Sequence, residues 1–203
     1  MCKRIYRRWT LSALLLAIGF TLQSQDALTL SLFNESTSIP FTRFMTTPLH
    51  PGIQVGYEKG WKDNGRLMAC PAINLGYLLH RNLFQGVYVS VDLGIDYKTR
   101  MGLRFKSKVG IGYLHTFTTQ SEYQYSEGQF IRGKDYGNAR LMPSLSLGLG
   151  YALQPANPSS TEIFVLYQSW LEYPYSPGFI PLMIHNSLHL GAKIYPFDHK
   201  IIK

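Results

Sequence analysis

Between residues 86 and 117 the chain reads GVYVSVDLGIDYKTRMGLRFKSKVGIGYLHTF, and its side chains sort by twos. Val87, Val89, Val91, Leu93, Ile95 and Tyr97 fall on one face, with Tyr88, Ser90, Asp92, Gly94 and Asp96 on the other. After a break at Lys98–Met101 the pattern resumes: Leu103, Phe105, Val109, Ile111 and Tyr113 oppose Arg104, Lys106, Lys108, Gly110 and Gly112. Side chains alternate across a strand, so this is a hairpin of two strands, each with one apolar and one polar face. In a soluble sandwich the apolar face would meet a core. In a transmembrane barrel it meets lipid, and the polar face lines the lumen. Each strand alternates over about ten residues, the span that crosses a bilayer at a tilt, whereas soluble strands centre on about five or six.

The same alternation recurs in residues 27–33, 53–61, 66–79, 140–152 and 184–197, and less clearly in 162–172, where both faces are bulky. Pro71 interrupts its segment and suggests a bulge or a weak edge. Lys62-Asp63-Asn64-Gly65 is a hairpin turn. The count is about eight strands, an even number as outer-membrane barrels have. The longer connections are expected after the first, third, fifth and seventh strands, at 34–51, 80–85, 118–138 and 173–182, and the shorter ones between them. Short periplasmic turns and longer external loops make this alternation. Trp61, Tyr77, Tyr97, Tyr113, Tyr151, Tyr195 and Phe197 sit near strand ends, where aromatic girdles are expected.

The N-terminus carries Lys3, Arg4, Arg7 and Arg8, then the apolar run LSALLLAIGF, then the polar TLQSQ. That is the pattern of a secretory signal peptide, expected over residues 1–24, with the barrel domain over 25–203. The whole chain has formal net charge +8. Residues 1–24 hold four of its twenty Lys+Arg and none of its twelve Asp+Glu, which leaves +4 on the remainder. So mild a balance does not suggest nucleic acid. Cys70 remains as a single cysteine, so no intrachain disulfide framework is expected. No later segment has 18 consecutive apolar residues.

The signal peptide, the strand rhythm and the closing Ile194-Tyr195-Pro196-Phe197 resemble the small eight-stranded outer-membrane β-barrels of the OmpA/OmpX-like type. The resemblance implies an all-β fold, a closed antiparallel up-and-down transmembrane barrel in the outer membrane. It implies no activity. An eight-stranded barrel is just wide enough for side chains to fill. The alternation sends Glu58, Arg66, Asp92, Asp96, Arg104, Lys106, Lys108, Glu162, Gln168, His185, His189 and Lys193 inward, with eight glycines that either relieve crowding or leave water-filled space. Glu58, Asp92 and Asp96 are expected to compensate Arg104, Lys106 and Lys108 in a lumen charge network, because unpaired charge in a narrow interior is costly. A narrow ion path is the functional alternative.

Candidate chemistry is sparse. His185, Ser187 and His189 share the inward face of the last strand. Their His-x-Ser is similar to that of the outer-membrane lipid A 3-O-deacylase family, itself an eight-stranded barrel, whose histidine and serine act with a glutamate. Here no Asn follows the serine and no Glu lies downstream. No metal-ligand set and no P-loop or dinucleotide fingerprint is present in the sequence, so no metal or cofactor is expected. Arg43, Arg81, Arg132 and Lys134 fall in or beside the external loops, with Phe130 and several tyrosines. Cationic and aromatic groups there suit outer-membrane lipid and lipopolysaccharide phosphates, or a larger outer-membrane protein complex. Three functions follow as expectations: a non-enzymatic structural or accessory barrel, a lipid A-modifying hydrolase, and a small ion pore.

Overall fold

The computed structural model describes residues 26–42, 48–81, 83–119, 123–126, 128–132, 135–157, 159–176 and 178–196. The expected signal peptide and Phe197 lie outside them. The strands are β1 (Asp26–Ser36), β2 (Pro51–Lys59), β3 (Lys62–Asp63), β4 (Leu67–His80), β5 (Phe84–Lys98), β6 (Leu103–Thr118), β7 (Tyr123–Ser126), β8 (Gln129–Arg132), β9 (Asn138–Ala152), β10 (Glu162–Glu172) and β11 (Met183–Ile194). Eight of them run β2-β1-β11-β10-β9-β6-β5-β4, and β2 pairs back onto β4, so the antiparallel sheet closes. Closure leaves no edge, which is what lets strands cross hydrocarbon. The two-residue β3 adds to β4, and β7 with β8 forms a separate hairpin in the connection between β6 and β9.

The faces settle which solvent the barrel was built for. Val91 is 54 % exposed, with Val89, Leu93, Ile95, Val109, Ile111, Leu145, Leu147 and Leu149 similarly open. Asp96 is 0 % exposed, and Ser90, Asp92, Lys106 and Lys108 are buried with it. A water-soluble fold has the reverse arrangement. Apolar side chains on the outside and ionised ones inside make a multi-pass transmembrane β-barrel of the outer-membrane kind. Aromatics ring both ends of the outer wall: Tyr57, Tyr97, Phe105 and Tyr151 at the short-turn end, Tyr77 and Tyr113 at the other. Tyr195 is an exception to the girdle expectation, since its hydroxyl turns inward to Arg104 Nη1 at 3.1 Å.

Two expectations change along the wall. The third connection is not long. β4 and β5 pair to their ends, His80 opposite Phe84, and only residues 81–83 join them. Arg66 is not in the lumen either: it sits exposed in the turn before β4, because strand parity does not carry through a turn. Pro71 lies where a bulge was expected. β2 pairs with β4 as far as Glu58 opposite Ala72, and β3 resumes at Lys62 opposite Ala69. Four steps along one chain meet three along the other, and the residue without an N–H occupies the discontinuity.

The inward glycines relieve crowding. A Cβ at Gly76 would strike the Tyr88 ring, one at Gly110 the Asp92 carboxylate, and one at Gly150 the Glu162 carboxylate. Each of these three lumen side chains thus lies over a neighbouring strand that offers it no side chain.

Residues 38–42 fold back over the outside of the wall. Asn186 Nδ2 donates to the Ser38 carbonyl at 2.6 Å, the Phe41 N–H donates to the Tyr167 hydroxyl at 2.8 Å, and the two rings stack at 4.8 Å. Ser36, Tyr167 and Asn186 point outward by alternation yet are buried. Ser36 is in register with Asn186, and Asn186 with Ser169, so the strap covers a polar row that bare lipid would penalise. That cover is why the 162–172 segment lacks a clean apolar face in sequence.

Candidate functional site in the lumen

The end of the lumen nearest the short turns holds a continuous ion-pair network. Cross-strand register places Asp96 directly opposite Lys106, and their side chains meet at 2.8 Å. Lys106 also reaches Glu162 at 2.8 Å, and Glu162 accepts from Arg104 at 3.0 Å. Glu58 takes Lys108 on one oxygen and Lys193 on the other, the latter at 2.6 Å; Lys193 lies 3.9 Å from Asp96. All these side chains are buried. Gly150 on β9, opposite Arg104, opens the gap through which Glu162 on β10 reaches Arg104 and Lys106.

Of the expected network, Glu58, Asp96, Arg104, Lys106 and Lys108 come together. Asp92 stands apart: its Oδ2 accepts from Asn74 Nδ2 at 2.7 Å, and no cation pairs with it among the described residues. Glu162 and Lys193 are essential members that alternation had turned inward but that register could not connect to β6. With Asp92 included, four buried carboxylates face four buried cations.

Above the network a band of Phe33, Leu78, Tyr88, Leu114, Met142 and Trp170 fills the lumen. Above that, at the end with the long loops, lies a second polar cluster that the sequence did not reveal. His185 Nδ1 meets Glu35 Oε1 at 2.7 Å, and its Nε2 meets Glu172 Oε2 at 2.9 Å. Its ring stacks on Trp170 at 4.1 Å. Arg140 Nη1 binds Glu172 Oε1 at 2.6 Å and the carbonyls of Pro174 and Tyr175, tying the rim to the connection at 173–182. Beside Glu35, His50 stacks on His80 at 3.6 Å. Glu35, His50 and His80 each offer a metal-ligating atom within 4.8 Å of the others. Glu58, Cys70 and Asp96 do so too, but lysines already hold both of those carboxylates.

The strand triplet His185, Ser187, His189 does not assemble into a nucleophile and base. Ser187 Oγ accepts from Trp170 Nε1 at 3.2 Å. His185 is held between its two glutamates, and His189 Nδ1 meets Ser31 Oγ at 3.2 Å. All three are buried inside the barrel. Of the expected external cations, Arg81 is exposed in the turn between β4 and β5, and Arg132 ends β8. Arg43 and Lys134 lie outside the described residues.

No protein-family model matches the chain, and no curated protein does. Solved structures match it. It is similar to the Neisserial surface protein A, with 10% identity and TM-score 0.50 over 84% of this chain and 95% of that one. It is similar to Ail, the attachment invasion locus protein of Yersinia pestis, with 12% identity and TM-score 0.52 over 85% of this chain and 99% of that one. Ail in complex with the heparin analogue sucrose octasulfate matches with the same figures. At these identities the likeness is one of fold, that of a small outer-membrane β-barrel.

Proposed function

We propose that this barrel is a non-enzymatic, non-conducting outer-membrane protein that serves as a structural or accessory subunit of a larger envelope complex, with its external loops as the contact surface. The observation that carries this reading is the apolar surface beyond the membrane belt. Phe179 is 83 % exposed and Phe130 73 %, with Tyr136 comparably open, on two different external connections. Large apolar side chains exposed on the external connections suit a protein partner. Phe130 stands on the β7–β8 hairpin, and a two-stranded hairpin is marginally stable alone. The filled lumen supports the rest. An ion path would have to part Glu58 from two lysines and then cross the apolar band. Arg81, with Arg43, Arg132 and Lys134 in the sequence of the other external connections, suits lipopolysaccharide phosphates as a second contact. Ail, which shares the fold, was crystallised with a polysulfated sugar.

The test is purification of the tagged barrel from its native membranes, beside planar-bilayer recording. A stoichiometric partner that is retained by wild type and lost with Phe130→Ser plus Phe179→Ser is the expected result, together with an absence of steady currents. Currents of constant unitary size, or acyl release from lipid A by the purified barrel, would overturn it.

A further inference from the structure

We propose that Glu35, His50 and His80 form a binding site for a divalent transition-metal ion of the zinc type at the outer mouth of the barrel. Two imidazoles and one carboxylate are a donor set suited to such ions, and they leave a further position for water or an external ligand. The three residues come from separate parts of the chain: the end of β1, the residue before β2, and the end of β4. Their convergence is a product of the closed fold rather than of a local motif.

The geometry is near that of a bound ion. Zinc–nitrogen bonds of about 2.0–2.1 Å put neighbouring ligand atoms of a tetrahedral site about 3.4 Å apart. His50 Nδ1 is already 3.5 Å from Glu35 Oε2, and all three donors lie within 4.8 Å of each other. The two rings stack 25° from parallel, so binding requires them to fan apart about their Cβ–Cγ bonds. His80, only half-buried at the mouth, has room for that motion and gives the ion a way in.

Two further observations point to a ligand. Nδ1 of His50 and Nδ1 of His80 are buried and neither makes a hydrogen bond among the described residues, although Glu35 Oε2 stands 3.5 Å from His50 Nδ1. Imidazole nitrogens removed from water normally find a partner. The surroundings also resemble a supporting shell for metal ligands. Glu35 Oε1 is fixed by His185, which is fixed in turn by Glu172 and the Trp170 ring. The backbone of His50 is pinned on both sides: its N–H donates to Asn34 Oδ1 at 2.8 Å, and its carbonyl accepts from the Glu35 N–H at 2.9 Å. The opposite end of the lumen shows the contrast, since at Glu58 and Asp96 the cation is a lysine of the chain itself.

The test uses the full barrel folded in detergent micelles, with zinc chloride in calorimetry and Co²⁺ as a visible-absorption probe. Wild type is expected to take up one ion, with a Co²⁺ d–d spectrum displaced by Zn²⁺. His50→Phe and His80→Phe keep the ring stack while removing the donors, and each should weaken binding at least ~100-fold. His115→Ala, on the outer wall, should bind as wild type does. Heat-modifiable gel migration checks that each variant is folded. Should a variant fail to fold, the urea midpoint of wild type decides: saturating Zn²⁺ should raise it relative to EDTA. No midpoint shift, wild-type affinity in the folded His50→Phe/His80→Phe double variant, or loss of binding in His115→Ala would each overturn the site.

Discussion

The two polar ends of the lumen answer the same electrostatic problem with different chemistry. Near the short turns the cations are Arg104, Lys106, Lys108 and Lys193. Every one must meet a carboxylate, and Glu58, Asp96 and Glu162 each serve two. At the outer mouth the carboxylates Glu35 and Glu172 face imidazoles and one arginine. An imidazole can give up its proton, so that cluster adjusts to a lost charge in a way that a lysine network cannot. A burial that tolerates no imbalance is a structural plug; one that can change its proton or ligand content is suited to a site.

The largest effect expected from this difference is at Glu58. Glu58→Gln strands Lys108 and leaves Lys193 with Asp96 alone at 3.9 Å, and should cost about 3–5 kcal/mol, the range for breaking a buried ion pair. Removing a cation as well, in Glu58→Gln/Lys193→Met, should recover a large part of the loss, because imbalance and not a missing contact does the damage. Glu172→Gln at the mouth should cost about 1–3 kcal/mol, because Arg140 keeps two carbonyl acceptors and His185 can go neutral. Urea titration of the barrel in liposomes compares them. Equal losses at Glu58 and Glu172 would erase the distinction between the ends.

A finer comparison lies between two acids on one strand. Asp92 and Asp96 share the inward face of β5, and sequence alone treats them alike. Asp96 holds Lys106 at 2.8 Å, whereas Asp92 is bonded by Asn74 and its Oδ1 meets no partner among the described residues. Asp96→Asn should therefore cost about 3 kcal/mol, and Asp92→Asn less than about 1 kcal/mol, since an amide oxygen can still accept from Asn74. The same titration checks the order, and a larger loss at Asp92 would reassign the network.

The difference between the ends also explains what was legible in the sequence. Period-two alternation is dictated by strand geometry, so the eight walls, their facing and the inward charges of β5 and β6 could be read directly. That the acids of β5 would meet the cations of β6 followed from a short hairpin, where register is local; the particular pair, Asp96 with Lys106, came only with the structure. Glu162 and Lys193 needed the closed sheet, because their partners sit on strands far away in sequence. The mouth was hidden more thoroughly. Glu35 falls beyond residue 33, where Asn34-Glu35-Ser36 has low strand propensity and suggested a loop. His50 and His80 fell in segments read as connections. Strand ends that rise above the hydrocarbon no longer need an apolar outer face, and there the alternation that reveals a barrel fades.

The smallest expected effect lies beyond the mouth, at a charge that faces water. Asp135 accepts the Gly137 N–H at 2.7 Å and the Thr118 N–H at 2.6 Å, with the Thr118 hydroxyl at 2.9 Å. The Gly137 amide first, then the Thr118 amide and hydroxyl, hold this carboxyl below its ordinary range. A depressed folded value means that the contribution is complete above the unfolded pKa, about 3.9. It is then lost as pH falls through the lower folded value. Between pH 7 and 5 the junction of β6 with its external connection should therefore keep its order, and protection should fade only below about pH 4. Hydrogen exchange at the Thr118 and Gly137 amides reads this directly. Asp135→Asn should raise exchange at both amides at pH 7 and make it insensitive to acid, while leaving the amides of the wall unchanged. Protection in wild type that persisted unaltered to pH 2 would show that the backbone, and not the carboxylate, holds this junction.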